Sequence, residues 1–358
     1  MQLPLATPPS SVCILRLSAI GDICHTLPVV RTLQKNWPET KFTWIIGRVE
    51  AELVGDIPDI EFIIFDKSQG WKAYKTLYRT LRGRRFDVLL QMQIALRASV
   101  ASRLIRARIR LGFDKKRAKD FQWLFTNARI AARQKQHVME GLFGFAEALG
   151  IDQRSMEWCI PQPASAITRV GSLLGTTRPI LAISPCSSDR RRNWRDWSPE
   201  RYAQIVDYAE RTMNLSVVLT GGPSERERAM GLAIEELCDA SPANLIGKTS
   251  LKELLVVLDR TVAVITPDSG PAHIATTVGT PVIGLYVTSN PLRTGPYLSR
   301  QWTINHYPEA LLSELGKTLD EAPWGTRVRN PEAMQRISVE EVVRMLGKLI
   351  EASDQSLR

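Results

Sequence analysis

The chain has little that would cross-link, anchor or metallate it. Its five cysteines, Cys13, Cys24, Cys159, Cys186 and Cys238, are odd in number, scattered through apolar surroundings and include no C-x-x-C pair. That pattern excludes a disulfide framework and argues against structural zinc. No apolar run approaches the roughly 20 residues needed to span a bilayer. Residues 1–10 hold no basic region followed by an apolar one, so a cytosolic protein is expected. Two nucleotide signatures are missing as well: there is no G-x-x-x-x-G-K-[ST] loop, and no G-x-G-x-x-G follows the first strand candidate. ATP hydrolysis and NAD binding are therefore not the natural readings. Repeats of solenoid type and low-complexity tracts are absent too.

What is present fits two α/β domains, since 358 residues exceed the usual single core. Short β-branched runs at residues 12–17, 42–46, 61–65, 87–92 and 108–112 alternate with amphipathic stretches at 26–36, 71–81 and 97–106. A passage rich in Pro, Ser, Gly and Thr at 161–179 interrupts this rhythm. Strands then resume at 180–184, 216–219, 244–246, 262–265 and 282–286, with helices at 199–211, 224–238, 251–258 and 271–278. The expected chain has a first domain at 1–160, a connection at 161–179, a second domain at 180–330, and a C-terminal helix within 331–358 that packs back on the first domain. Both sheets are expected to be parallel, with a ligand crevice at the carboxyl ends of their strands where the domains face each other.

The formal charge is +10, which calls for a polyanionic partner such as nucleic acid, an anionic membrane or an acidic substrate. Residues 97–135 carry twelve basic side chains against Asp114 and Asp120, an excess equal to that of the whole chain. A solvated helix face normally mixes both signs, so a localised anion site is favoured.

Four strand-to-helix turns hold the candidate chemistry. Thr266-Pro267-Asp268-Ser269-Gly270-Pro271-Ala272-His273 follows an apolar run and opens a helix, whose free backbone N–H groups suit a diphosphate; a plain N-cap is the alternative. Ser18-Ala19-Ile20-Gly21-Asp22 ends the first strand, where Asp22 serves either as a cap or as a base toward a hydroxyl. Ser187 and Ser188 lead into Asp189-Arg190-Arg191-Arg192-Asn193-Trp194, hydroxyls and guanidiniums suited to phosphate oxygens or to a solvated loop. In Gly221-Gly222-Pro223-Ser224-Glu225, Glu225 either accepts from ribose hydroxyls or merely opposes the helix dipole.

Together these residues resemble glycosyltransferase family 9, the ADP-heptose:lipopolysaccharide heptosyltransferases, over nearly the whole chain. The resemblance implies a GT-B fold, two Rossmann-like domains with parallel sheets facing a central cleft. It further implies an inverting, metal-independent transfer from a nucleotide sugar, with ADP-heptose as co-substrate, no cofactor and no metal. Asp22 matches the family's general base. Ser187 and Ser188 match its diphosphate contacts, Arg192 stands where the family usually has lysine, Glu225 matches the ribose ligand, and Asp268 a residue near the donor sugar. Ser269, in place of the commoner threonine, with Gly270 and His273 would line the helix start.

The acceptor implied is the Kdo-lipid A inner core at the cytoplasmic face of the inner membrane, with peripheral contact to that surface. Arg97, Arg103, Arg106, Lys115, Lys116, Arg117 and His137 are the expected acceptor contacts, His137 having an ordinary buried histidine as its alternative. Another nucleotide sugar or a later core sugar remains open. A nucleic-acid-binding protein is the alternative of a different class, opposed by the lack of a recognised RRM, KH or zinc-finger motif and of aromatics interleaved with the basic run. A serine hydrolase built on Ser269 lacks the G-x-S-x-G elbow.

Overall fold

The computed structural model describes residues 3–187 and 193–356. The chain divides into two compact units, residues 1–161 and 162–358. The first is built on six parallel strands, β1 (Ser11–Leu15), β2 (Lys41–Gly47), β3 (Ile60–Phe65), β4 (Phe86–Gln91), β5 (Ala107–Gly112) and β6 (Ala128–Arg129), in the order β3-β2-β1-β4-β5-β6. The second repeats that order with β7 (Ile180–Ile183), β8 (Ser216–Leu219), β9 (Ala243–Asn244), β10 (Ala263–Pro267), β11 (Val282–Tyr286) and β12 (Thr303–Asn305), arranged β12-β11-β10-β7-β8-β9. Each is the Rossmann arrangement, whose strand order reverses beside the first strand and leaves room for a ligand at the carboxyl ends.

The central strands are apolar on both faces because helices cover both. Val12, Cys13, Ile14 and Leu15 are all fully buried, as a strand inside a parallel sheet requires. Helix α1 (Ile20–Asn36) follows β1 and starts six residues before the expected 26, because the small residues of the turn are already helical. It tolerates Pro28, which has no N–H to give to Cys24; the Trp158 indole N–H donates to that carbonyl instead, at 2.7 Å. The other helices of this unit are α2 (Arg48–Val54), α3 (Trp71–Leu81), α4 (Leu96–Ser102) and α5 (Val138–Leu149).

In the second unit the helices are α6 (Ala164–Leu174), α7 (Pro199–Arg211), α8 (Glu225–Leu237), α9 (Leu251–Asp259), α10 (Gly270–Thr277), α11 (Pro291–Thr294), α12 (Tyr307–Leu315) and α13 (Val339–Ser356). The expected connection at 161–179 thus contains a helix that belongs to this unit: α6 buries Val170, and Arg169 pairs with Glu253 of α9 at 2.8 Å. Val342, Leu346 and Leu349 of α13, spaced four and three residues apart as a helical face requires, are buried in the core of the second unit. The carbonyl of Ile337, just ahead of this helix, accepts from the Trp197 indole at 3.2 Å and so ties it to the segment that leads into α7.

Burial pushes the Cys186 thiol up to about 11, and those of Cys13 and Cys24 further, so these cysteines stay protonated core residues. No helix among the described residues is long and apolar enough to cross a membrane.

Candidate active site

At the carboxyl end of β1 the chain turns through residues 16–19 into α1, and Asp22 lies in that helix's first turn. Its Oδ2 accepts from the Ala19 backbone N–H at 3.2 Å and pairs with Arg16 Nη2 at 2.5 Å. Asp22 thus satisfies an orphan N–H of the helix start, and its side chain is 35% exposed, with both of these contacts on Oδ2. Arg16 is fixed by donating to the Met92 carbonyl at the end of β4. The Gln93 side chain accepts from Leu17 N–H at 2.6 Å and donates to Ser18 Oγ at 3.2 Å, so the base of the turn is held from the neighbouring strand.

Glu50, a second carboxyl that sequence reasoning passed over, approaches the same turn. Any side chain at Gly47 would strike both the Leu17 carbonyl and the Glu50 carboxylate, so glycine there allows the two turns to close up. Burial raises the Glu50 carboxyl above its ordinary value, with the Asp22 charge adding and its backbone hydrogen bond, Lys67 and Arg16 opposing. His25, one turn along α1 from Asp22, is 4% exposed and packs edge-on to His137 with ring centroids 5.1 Å apart. His137 is itself the N-cap of α5, its Nδ1 accepting from Met139 N–H at 3.1 Å. His137 is 4% exposed.

The basic cluster does not stay together, because β5 runs through it. Arg103 and Arg106 precede β5 and lie at the amino ends of the strands, whereas Arg97, Lys115, Lys116 and Arg117 follow β4 or β5 at the carboxyl end that also carries Asp22. A six-residue strand separates those ends by about 20 Å. The amino end has its own basic depression of about 580 Å³, lined by Arg85, Arg106, Arg108, Arg110 and Asp87. Arg103 and Arg106 are therefore corrected out of the group near Asp22. Arg117 is at the right end but already engaged, pairing with buried Asp114 and donating to Gln136 Oε1 at 3.1 Å and the Ala131 carbonyl at 2.8 Å. Arg97, Lys115 and Lys116 are exposed.

In the second unit, β10 delivers Asp268 and Ser269 to the start of α10. Asp268 is 6% exposed, and its Oδ2 lies 3.3 Å from Arg195 and 3.8 Å from Arg327. Arg195 also donates to the Asp268 carbonyl at 2.7 Å. Burial holds the nearby Tyr286 phenol well above its ordinary value, with the Asp268 charge adding. Ser269 Oγ pairs with Thr266 Oγ1 at 2.7 Å across the turn. Gly270 begins the helix, and His273, 7% exposed, is on its first turns.

Ser187 is held at the end of β7: its N–H and hydroxyl both donate to Asp196 Oδ1, at 2.8 and 2.9 Å, while Asn193 donates to its Oγ at 2.6 Å. Arg226 of α8 pairs with the other Asp196 oxygen and donates to the Ser187 carbonyl at 2.5 Å. Ser188 and Arg192 lie outside the described residues. At the Gly221-Gly222 turn the engaged carboxylate is Glu227, whose Oε1 accepts from Gly222 N–H at 2.9 Å; a Cβ at Gly222 would lie 2.8 Å from its other oxygen. Glu225, the expected ribose ligand, is exposed at the helix start.

Arg195, Asp196, Arg226 and Arg327 escaped the sequence reading. Two of them carried a signal: an Arg-Asp pair wedged between Trp194 and Trp197, the latter 1% exposed, is a charge pair that folding has to bury.

Two Rossmann-like units, one with a tethered carboxylate at its first turn and the other with an arginine-lined helix start suited to a diphosphate, define a GT-B glycosyltransferase. The chain matches the description "Glycosyltransferase family 9 (heptosyltransferase)" over residues 74–324. It is 41% identical over 348 residues to the lipopolysaccharide core heptosyltransferase OpsX of Haemophilus influenzae, covering 97% of this chain and 99% of that one. It is also 25% identical to lipopolysaccharide heptosyltransferase 3 of Escherichia coli K12, over 92% and 95% of the two chains. In structure it resembles the family 9 glycosyltransferase of Veillonella parvula, with TM-score 0.78 at 22% identity over 96% and 97% of the chains. The E. coli heptosyltransferase WaaC with ADP follows at TM-score 0.71 and 17% identity over 95% and 99%. The chain belongs to glycosyltransferase family 9 and is an enzyme of transferase type.

Proposed function

We propose that this enzyme transfers heptose from ADP-heptose to the Kdo-lipid A inner core of lipopolysaccharide, with inversion at the anomeric carbon and without a metal ion. The observation that carries the mechanism is the Asp22 carboxylate, clamped through Oδ2 by Arg16 and the Ala19 N–H with Oδ1 left open. That geometry fits a general base: as an acceptor hydroxyl attacks the anomeric carbon from the face opposite the diphosphate, Asp22 takes its proton and the bond to the leaving ADP breaks. The leaving diphosphate needs positive charge, which the N–H groups at the start of α10 and the arginines of the second unit supply, with Ser187 assigned beside it once its hydroxyl turns from Asp196 to a phosphate oxygen. Glu225 is assigned to the ribose, and Asp268, Ser269, Gly270 and His273 to the neighbourhood of the donor sugar and diphosphate. Supporting the substrates are the relative described as a lipopolysaccharide core heptosyltransferase and a structural neighbour, WaaC, solved with ADP-2-deoxy-2-fluoro heptose.

Exposed Arg97, Lys115 and Lys116, on the same edge as Asp22, are assigned to the phosphates and carboxylates of the acceptor, and the enzyme acts in peripheral contact with the cytoplasmic face of the inner membrane. Coupled detection of ADP release from ADP-heptose tests the proposal, run with and without Kdo-lipid A and in EDTA. Release that depends on the acceptor and survives EDTA is expected. Release that requires a divalent ion, or none at all with donor bound, overturns the corresponding part.

A further inference from the structure

The segment between β5 and β6 places large apolar side chains where solvent meets them. Phe121 is 66% exposed, Leu124 58% and Trp123 42%, and Leu96, brought alongside because its N–H donates to Asp120 Oδ2 at 3.2 Å, is 53% exposed. Asp120 and Phe121 both hold left-handed backbone, φ 50° and 56°, which a phenylalanine adopts only at a cost and which turns its ring outward. Between the two exposed aromatics sits Gln122, with no exposure at all. It donates to the carbonyls of Gln91 and Gln93 at 3.1 and 3.0 Å and accepts from Phe113 N–H at 3.2 Å. The apolar tip is therefore not a frayed loop but a clamped one. Gln93, one of its anchors, also grips Leu17 and Ser18 in the turn that leads to Asp22.

The exposed charge around this tip is predominantly positive. Lys115, Lys116 and Lys119 are exposed on the same segment, Asp114 is buried against Arg117, and the one exposed carboxylate of the segment, Asp120, accepts from the Leu96 N–H. Exposed aromatics ringed by lysine match the boundary of a bilayer, where amphipathic rings settle at headgroup depth and each lysine near an anionic surface strengthens association about fivefold. An anionic macromolecule without an apolar layer would leave Phe121 and Leu124 unused.

We propose that residues 114–124 are a membrane-docking tip that inserts Phe121, Trp123 and Leu124 into an anionic phospholipid surface and holds the edge bearing Asp22 at the plane of its acceptor. The coupling to acceptor rests on the function proposed above; the docking itself does not.

The test is co-sedimentation of the full-length protein with vesicles of phosphatidylglycerol and phosphatidylethanolamine, and with vesicles of phosphatidylcholine alone. Wild type is expected to bind the anionic vesicles. A Phe121→Asp/Trp123→Asp variant is expected to lose about tenfold or more of that binding at high salt as well as low, and Lys115→Glu/Lys116→Glu to lose it mainly at low salt. Leu124→Asp, with Gln122 and the aromatics in place, guards against a folding artefact and is expected to bind several-fold more weakly with an unchanged melting temperature. For the apolar-tip variants, turnover on acylated acceptor in vesicles should fall with binding, while turnover on a deacylated, water-soluble acceptor stays at the wild-type rate. Equal vesicle binding by wild type and the apolar-tip variants overturns the proposal, as does a wild type that self-associates through this tip and ignores vesicles. Normal docking with no transfer to either acceptor would instead sink the assigned reaction and leave the tip standing.

Discussion

Asp22 and Asp268 occupy turns of the same kind, each at the carboxyl end of a strand in a sheet of the same order, yet their surroundings are opposite. The side chain of the first is tethered on one oxygen by a single arginine and is 35% exposed; that of the second is 9% exposed and faces both Arg195 and Arg327. A carboxylate that must meet a reacting proton needs an open oxygen, whereas one that must hold a turn or orient a bound sugar is better saturated. Repeating a fold thus repeats the places where chemistry can be put, not the chemistry.

The sharpest way to break the comparison is to remove each acid separately. Asp22→Asn keeps the shape but cannot take a proton, so kcat is expected to fall about 10² to 10⁴-fold with donor affinity nearly intact. Near-wild-type kcat would refute the base. Asp268→Ala removes the buried carboxylate that faces Arg195 and Arg327 and is expected to cost about 3 kcal/mol, read as a lower melting temperature together with weaker ADP binding. An unchanged melt and unchanged ADP affinity would show that the pair is decorative.

A smaller effect tests the two ends of the first sheet. Lys116→Glu is expected to raise the acceptor KM about fivefold and leave the donor KM alone, while Arg106→Glu, at the amino ends of the strands, changes neither. Equal effects from both would mean that the acceptor reaches the wrong end of the sheet.

The smallest effect concerns Glu50, a buried carboxyl beside Asp22. Its folded-state value is raised, so its contribution favours the fold most at low pH and is lost as pH rises from the ordinary glutamate value of 4.5 through the raised one. Denaturant melts at several pH values should show stability declining over that interval, and Glu50→Gln should flatten the decline. Identical slopes in both proteins would remove Glu50 from the account.

Most of the strand rhythm was legible because a strand covered on both faces writes itself as a short β-branched run, and the turns after β1, β7, β8 and β10 were legible because tight turns restrict residue type. The short strands β6 and β9, of two residues each, carry too little pattern for their ends to be read. Helix α1 hid its start behind Ile20-Gly21-Asp22; the expected stretch 26–36 already ran through Pro28, which the fold accommodates because the Trp158 indole satisfies the Cys24 carbonyl. Glu225, assigned to the ribose, stays exposed at its helix start, whereas the carboxylate that fills the Gly-Gly corner is Glu227, because a side chain in the first turn of a helix can reach back to its N-terminal loop.

The sequence by itself determined the class of fold, the family and the strand-end turns at Asp22 and Asp268, since each depends on residues close together in the chain. Only the tertiary structure decided that the basic run is cut in two by β5, that Arg195 and Arg327 converge on Asp268, and that α13 completes the second core. Those contacts join residues tens to hundreds of positions apart, and proximity along the chain carries no information about which end of a sheet a side chain will reach.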